Sequence, residues 1–219
     1  MPRNPRRRPK NDEKDTRARI LQAALQEFSE EGYAGARTDR IAKRAGVNIA
    51  LVFYYFKSKD QLYGAVLEQI FTDWSHAVAP ALEAKGTTHD RIVGYVQNYF
   101  GYIASAPSRP RIVQQEMMRR GRIGSPHLRQ LARRFIKPVY KKLNQILSHG
   151  IKAGEVHPLD AEQVVYSLVG IINFYFASSP VIELLTSSGD PLSRRAIETR
   201  KNEVIRFVSY ALFPAAAGK

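Results

Sequence analysis

The residues from Thr38 to Phe56 read Thr-Asp-Arg-Ile-Ala-Lys-Arg-Ala-Gly-Val-Asn-Ile-Ala-Leu-Val-Phe-Tyr-Tyr-Phe. Their types and spacing suit either a surface meeting nucleic acid or a small helical core. Two short helices joined by a tight glycine-containing turn make a helix-turn-helix, and Gly46 suits the turn because it accepts positive φ. Ile41, Ala42, Val47, Val52 and Phe56 are spaced to lock the helices together. Ala50, Leu51, Phe53 and Tyr54 then point the other way. On the second helix of such a unit, apolar side chains can read thymine methyls in the major groove. Arg37, Thr38, Lys43, Lys59 and the tyrosine hydroxyls can bond phosphates, which position a protein without specifying sequence. Periodicity alone leaves a second reading open, a small helical core with buried aromatics.

Charge points the same way. Lys and Arg number 34 against 20 Asp and Glu, a net charge of +14, and so basic a chain seeks polyanions. Arg3, Arg6, Arg7, Arg8 and Lys10 lie among Pro2, Pro5 and Pro9. This composition predicts a disordered basic arm over 1–15, either tracking DNA or simply solvated. Residues 109–142 hold eleven Lys and Arg against Glu116 alone. They form either a solvated helix face or a surface for DNA, an anionic ligand or a partner.

The chain lacks the constellations of an enzyme. With no cysteine, disulfides, thiolate metal sites and cysteine nucleophiles are excluded. His76, His89, His127, His149 and His157 show no metal-ligand spacing. His149, Glu155, His157 and Asp160 cluster near a turn and read as a solvated loop rather than a metal site. No nucleophile elbow, phosphate loop or dinucleotide fingerprint occurs; Gly121-Arg122-Ile123-Gly124 reads as a loop. No catalytic residue, metal or cofactor is expected. The N-terminus has no signal-peptide pattern, and the longest apolar run, Val164 to Ala177, falls short of a membrane span. The expected location is cytoplasmic.

The elements that position these residues are all helical. Ile20, Ala24 and Phe28 form one stripe of a helix over 17–31, which Gly32 ends. Thr38 is placed to cap the next helix, Asn48 a third, and Ser58 with Gln61 a fourth, which Pro80 should bend or end early. Longer helices follow near 88–105, 109–120, 126–150 with a kink at Pro138, 160–178 and 193–212. The expected fold is all-α. It has a DNA-binding domain over 16–62 (helix-turn-helix about 38–57), a ligand-binding and dimerisation domain over 63–213, and a tail over 214–219.

From Thr16 to Leu67, about a quarter of the chain, the sequence resembles the TetR family of bacterial transcriptional regulators. The match comprises Ile20-Leu21-Gln22-Ala23-Ala24, Phe28, Gly32-Tyr33, Thr38, Ile41-Ala42, Ala45-Gly46-Val47, Tyr55-Phe56, Ser58-Lys59 and Leu62. The resemblance implies a homodimer whose N-terminal helices bind a palindromic operator and whose C-terminal helices bind a small-molecule effector that releases it. By position it implies phosphate contacts from Thr38, Tyr55 and Lys59. Asn48, Ile49, Ala50, Leu51 and Phe53 would lie near bases, with Arg37 and Arg40 beside them. Ile49 and Leu51 stand where many members are polar, and Phe53 where many have tyrosine, so readout would lean on methyl contacts and shape.

In the C-terminal half, Tyr95, Tyr99, Tyr102, Met117, Met118, Phe135, Tyr140, Asn173 and Phe174 are candidate pocket residues, with ordinary core packing as the other reading. Val165, Leu168, Ile172, Val204, Val208 and Leu212 are candidates for a four-helix dimer interface. The alternative function is a basic helical module binding nucleic acid without sequence choice.

Overall fold

The computed structural model describes residues 10–119, 125–187 and 189–214. The basic stretch Arg3–Arg8, the Gly121–Gly124 fragment, Arg120 and the final five residues lie outside them. The described residues form eleven α-helices and one π turn, with no strand among them. Two compact units divide the chain, Met1–Gln69 and Ile70–Lys219.

The first unit contains α1 (Lys10–Gly35), α2 (Thr38–Ala45), α3 (Ile49–Phe56) and the start of α4 (Lys59–Glu83). Helix begins at Lys10 rather than Arg17, so the expected arm over 1–15 is too long; Thr16 Oγ1 donating to the Asp12 carbonyl (2.7 Å) belongs to this extra turn. Gly32 (φ 68°, ψ 177°) breaks α1 where expected. Ile20, Ala24, Phe28, Ile41, Val52 and Phe56 are buried together with Leu62, Val66 and Leu67 of α4. Tyr63 packs edge-on against Phe28 (4.8 Å) and Tyr33 (5.0 Å). These apolar turns of α4 complete the first core, which moves the division from the expected 62/63 to 69/70.

The second unit holds the rest of α4, α5 (Thr88–Ala104), α6 (Ser108–Arg119), α7 (Pro126–Leu131), a π turn (Ala132–Ile136), α8 (Lys137–Lys152), α9 (Ala161–Ala177), α10 (Ser179–Leu185) and α11 (Arg194–Leu212). α5 is central: α8, α9 and α11 all pack on it, and Ile92, Tyr95, Val96 and Phe100 are fully buried. Thr87 and Asp90 exchange side-chain and backbone bonds as a capping box at its start. α4 continues through Pro80 to Glu83 without ending early. Pro138 has a different effect. Proline cannot donate to the carbonyl four residues back, and the helix answers with a π turn in which Lys137 N–H bonds the Ala132 carbonyl, five residues back. α10 occupies a stretch the sequence marks only as punctuation. No single helix among the described residues is long and apolar enough to cross a membrane.

Candidate nucleic-acid interface and internal cavity

The turn between α2 and α3 rests on backbone chemistry. Gly46 is left-handed (φ 64°, ψ 38°), and its N–H and that of Val47 return to the Lys43 and Ala42 carbonyls (3.1 and 3.0 Å). Asn48 caps α3, its Oδ1 accepting from Ala50 N–H at 2.8 Å. Ser58 caps α4 by accepting from Gln61 N–H at 3.1 Å. α3 buries Val52 and Phe56 and turns Ile49 (40% exposed), Ala50, Phe53 and Tyr54 (61% exposed) to solvent, with Leu51 and Tyr55 half-buried. Two large aromatic residues and an isoleucine therefore share one outward surface on an eight-residue helix.

The cap of α2 differs from the expected one. Arg37 holds the N-cap position, without a side-chain cap, and Thr38 is the first helical residue. The acceptor comes from α1: Glu27, 1% exposed, takes the Arg37 N–H on Oε1 at 3.3 Å. The same carboxylate lies 3.5 Å from Arg44 Nη2 and 4.0 Å from Arg40 Nη1. Sequence periodicity missed Glu27 because its partners belong to another helix.

The cations around α3 differ in state. Arg37 is paired bidentately with Asp39 (3.1 and 3.0 Å), and its guanidinium holds the Asp39 carboxyl below the usual range. Arg40 bonds Glu31 (3.3 Å). Arg44 clasps Glu30 (2.9 and 3.2 Å) and by that hydrogen bond lowers the Glu30 carboxyl. These pairs are exposed, where such bonds are weak and exchangeable. Lys43 is exposed. Lys59 Nζ sits over the Tyr33 ring (5.0 Å) and donates to the Ala34 carbonyl (3.3 Å). Lys57, which no sequence pattern singles out, ends α3 at positive φ and donates to the Tyr54 carbonyl (2.8 Å).

The second unit holds a cavity of about 520 Å³, open to solvent where Met117, Tyr166 and Phe174 are exposed, within the roughly 300–1,000 Å³ of small-molecule sites. Seven of the named candidates line it: Tyr95, Tyr99 and Tyr102 from α5, Met117 from α6, Tyr140 from α8, and Asn173 and Phe174 from α9. Met118 and Phe135 do not. Adjacent helical residues lie about 100° apart, so Met117 takes the cavity side and Met118 is exposed, while Ile136 lines the wall in place of Phe135. Phe71 and Trp74 of α4, which lie outside the expected set, line it as well.

Its polar groups are few. Asn173 Nδ2 donates to the Tyr99 hydroxyl (2.7 Å) and the Val169 carbonyl (2.9 Å). Tyr102 donates to the Ile70 carbonyl (2.6 Å). Burial pushes the Tyr99 hydroxyl up to about 12 and raises Tyr95 and Tyr102 as well, so all three remain protonated donors. Glu155 and Asp160, from the loop cluster, serve the backbone: Glu155 accepts from Thr88 N–H (3.1 Å), and Asp160 caps α9.

The proposed interface residues need correction. Val165, Leu168, Ile172, Val204, Val208 and Leu212 are buried within the single chain, where α9 and α11 pack on α5. A residue already covered by its own chain has no surface to give a partner. The opposite faces expose Tyr166, Phe174, Phe207 and Tyr210, and α10 exposes Val181, Leu184 and Leu185.

The sequence model described as bacterial regulatory proteins, tetR family, matches residues 20–66. That of the tetracyclin repressor-like C-terminal domain matches residues 90–208, more than half of the chain. The chain belongs to the TetR family. As a TetR-family protein it is a DNA-binding transcriptional regulator. It is 28% identical over 169 residues to the transcriptional regulator RutR of Escherichia coli K12, covering 77% of each chain. It is 28% identical over 180 residues to the transcriptional repressor SCO4008 of Streptomyces coelicolor, covering 82% of this chain and 88% of that one. The structure of a tetR-family regulatory protein from Rhodococcus RHA1 shares its fold, with a TM-score of 0.70 and 22% identity over 88% of this chain and 96% of that one.

Proposed function

We propose that this TetR-family chain is a cytoplasmic, non-catalytic repressor that binds a two-fold-symmetric operator as a homodimer and is released by a small molecule entering the α4–α9 cavity. The observation that carries the reading is the outward face of α3, where Ile49, Phe53 and Tyr54 are exposed while Val52 and Phe56 anchor the helix. An apolar surface of that kind on a recognition helix suits thymine methyls and groove shape. Asn48, Ala50 and Leu51 share the base-proximal role. Thr38, Tyr55, Lys59 and the exposed Lys43 take phosphates, joined by Arg37 and Arg40 as their weak surface pairs exchange. The exposed aromatics of α11, Phe207 and Tyr210, supply the dimer face, which sets the spacing of two half-sites.

The test is selection of bound duplexes from a randomised pool at near-physiological salt, followed by sequencing. A two-fold-symmetric consensus is expected, favoured over random duplex by about 10³-fold or more. Binding without enrichment, fading only as salt rises, would replace the repressor with a module that grips duplex without choosing sequence.

A further inference from the structure

Resting on the reading of the α4–α9 cavity as the effector site, we propose that the effector is an organic monocarboxylate with an apolar body, its carboxylate bound by Arg109. The body of the cavity is built from rings and aliphatic chains, among them Phe71, Trp74, Tyr140 and Leu143. Among the described residues no Asp, Glu or His lines it, and Arg109 is the one charged lining residue.

Arg109 is held in place. Its guanidinium lies over the Tyr102 ring at 4.2 Å, and Nη1 donates to the Tyr102 carbonyl (2.6 Å) and the Ser105 hydroxyl (2.8 Å). All of these partners are uncharged. A guanidinium has five N–H donors, and the bonds described use only Nη1. The planar fork of Nε and Nη2 is the geometry that takes a carboxylate bidentately. Here stacking has already fixed it, so a ligand need not order it.

The wall adds neutral donors, beside the uncharged amides of Gln114 and Asn173. Trp74 Nε1 and the Tyr95 hydroxyl are buried with no hydrogen-bond partner among the described residues, and indole N–H can only donate. The Tyr99 hydroxyl accepts from Asn173 and keeps its own proton to give. Arg109 also opens α6, whose N-terminal dipole has the sign that favours an anion. The nearby acids do not line the cavity: Asp73 acts on Tyr102 from outside it, and Glu162 is bonded by Tyr166 (2.7 Å).

Trp74 is the chain's only tryptophan and lies in the cavity wall, so its fluorescence reports occupancy. Full-length protein would be titrated with hexanoate through dodecanoate and with 2-naphthoate, each beside its uncharged amide. The carboxylates are expected to bind at least about tenfold tighter than their amides, the scale of one charge-assisted hydrogen-bonded contact. Arg109→Gln should erase that preference while leaving amide affinity unchanged, which also shows that the variant is folded. Arg109→Lys should restore part of it. The proposal is overturned if no carboxylate alters Trp74 emission, if amides bind as well as acids, or if the preference survives in Arg109→Gln. Release of operator DNA is measured separately. Amides that bind and release while carboxylates do not would sink the carboxylate and keep the regulatory cavity. Carboxylates that bind through Arg109 without releasing DNA would do the reverse.

Discussion

Glu27 is the buried acid that joins α1 to α2, and its removal has a calculable effect. Glu27→Ala takes the acceptor from the Arg37 N–H, a bond to a charged group contributing about 1.5–3 kcal/mol. The Arg40 contact, at 4.0 Å from a half-exposed side chain, adds little. The Arg44 contact at 3.5 Å adds about a few tenths of a kcal/mol, since Glu30 still holds that guanidinium. Truncation leaves a small cavity, a further cost on the order of 1 kcal/mol, and relieves the desolvation of a buried carboxylate, which offsets it. The net is about 2 kcal/mol, or roughly 30-fold in a local opening equilibrium. Glu27→Gln keeps both the volume and an amide oxygen for the Arg37 N–H, so it should cost about 1 kcal/mol or less. Native-state hydrogen exchange resolves this by residue. The Ile41 amide, bonded to the Arg37 carbonyl at 3.1 Å, should exchange about 30-fold faster in Glu27→Ala and less than about fivefold faster in Glu27→Gln, with α5 unaffected. Equal effects from both variants would show that charge, not the cap, ties the helices. Unchanged exchange in Glu27→Ala would refute the cap outright.

Four further outcomes follow from the geometry. Gly150→Ala should destabilise the second unit by about 1–3 kcal/mol, because a Cβ there would meet Thr88 Cγ2 at 2.6 Å and Val156 Cγ2 at 2.8 Å; Thr88→Ala in the same chain should recover part of that in urea unfolding. Asn48→Ala should cost about 1 kcal/mol through loss of its bond to Ala50 N–H, and Asn48→Ser a good deal less, as read by exchange of the α3 amides. Phe207→Asp or Tyr210→Asp should dissociate the dimer in light scattering with helical content intact, whereas Ile172→Asp should unfold the protomer; a dimer surviving both exposed substitutions would move the interface elsewhere. Tyr55→Phe should weaken binding to every duplex alike, while Ile49→Ala should change the preferred bases, as seen in the selected consensus.

The helix-turn-helix was legible because its determinants are local. Gly46 needs a left-handed turn, Asn48 and Ser58 cap the helices they precede, and 3.6-residue spacing turns Ala50 and Tyr54 away from Val52 and Phe56. What the sequence hid was the identity of partners. Apolar periodicity on α9 and α11 marks positions that must be covered, but not by which neighbour, and α5 of the same chain covers Ile172 and Val208. Thr38 has the right chemistry for a cap, yet Glu27 supplies the acceptor from ten residues upstream. The cavity wall was largely readable on α5 because tyrosines recur there at helical spacing. Trp74 was not, because aromatics spaced as Phe71 and Trp74 are on α4 read equally well as ordinary core.

The π turn has a consequence for how this chain can tolerate length change. A turn closed five residues back instead of four is an α-helix holding one residue in excess. Between Ala132 and Ile136 the helix thus carries a residue that its regular geometry does not require. Pro138 is the reason it is kept, since the wider turn carries its ring past a carbonyl it would otherwise strike. Deletion of the exposed Arg133 alone would return the ring to that carbonyl, and Pro138→Ala alone would leave the excess residue in place. Made together, the two changes would let α7 and α8 run as one continuous helix with the faces on either side still in phase. One residue lost from the middle of α5 or α9 would instead turn everything downstream by about 100°. Among the described helices, deletion therefore has one π turn open to it, and a proline guards that position.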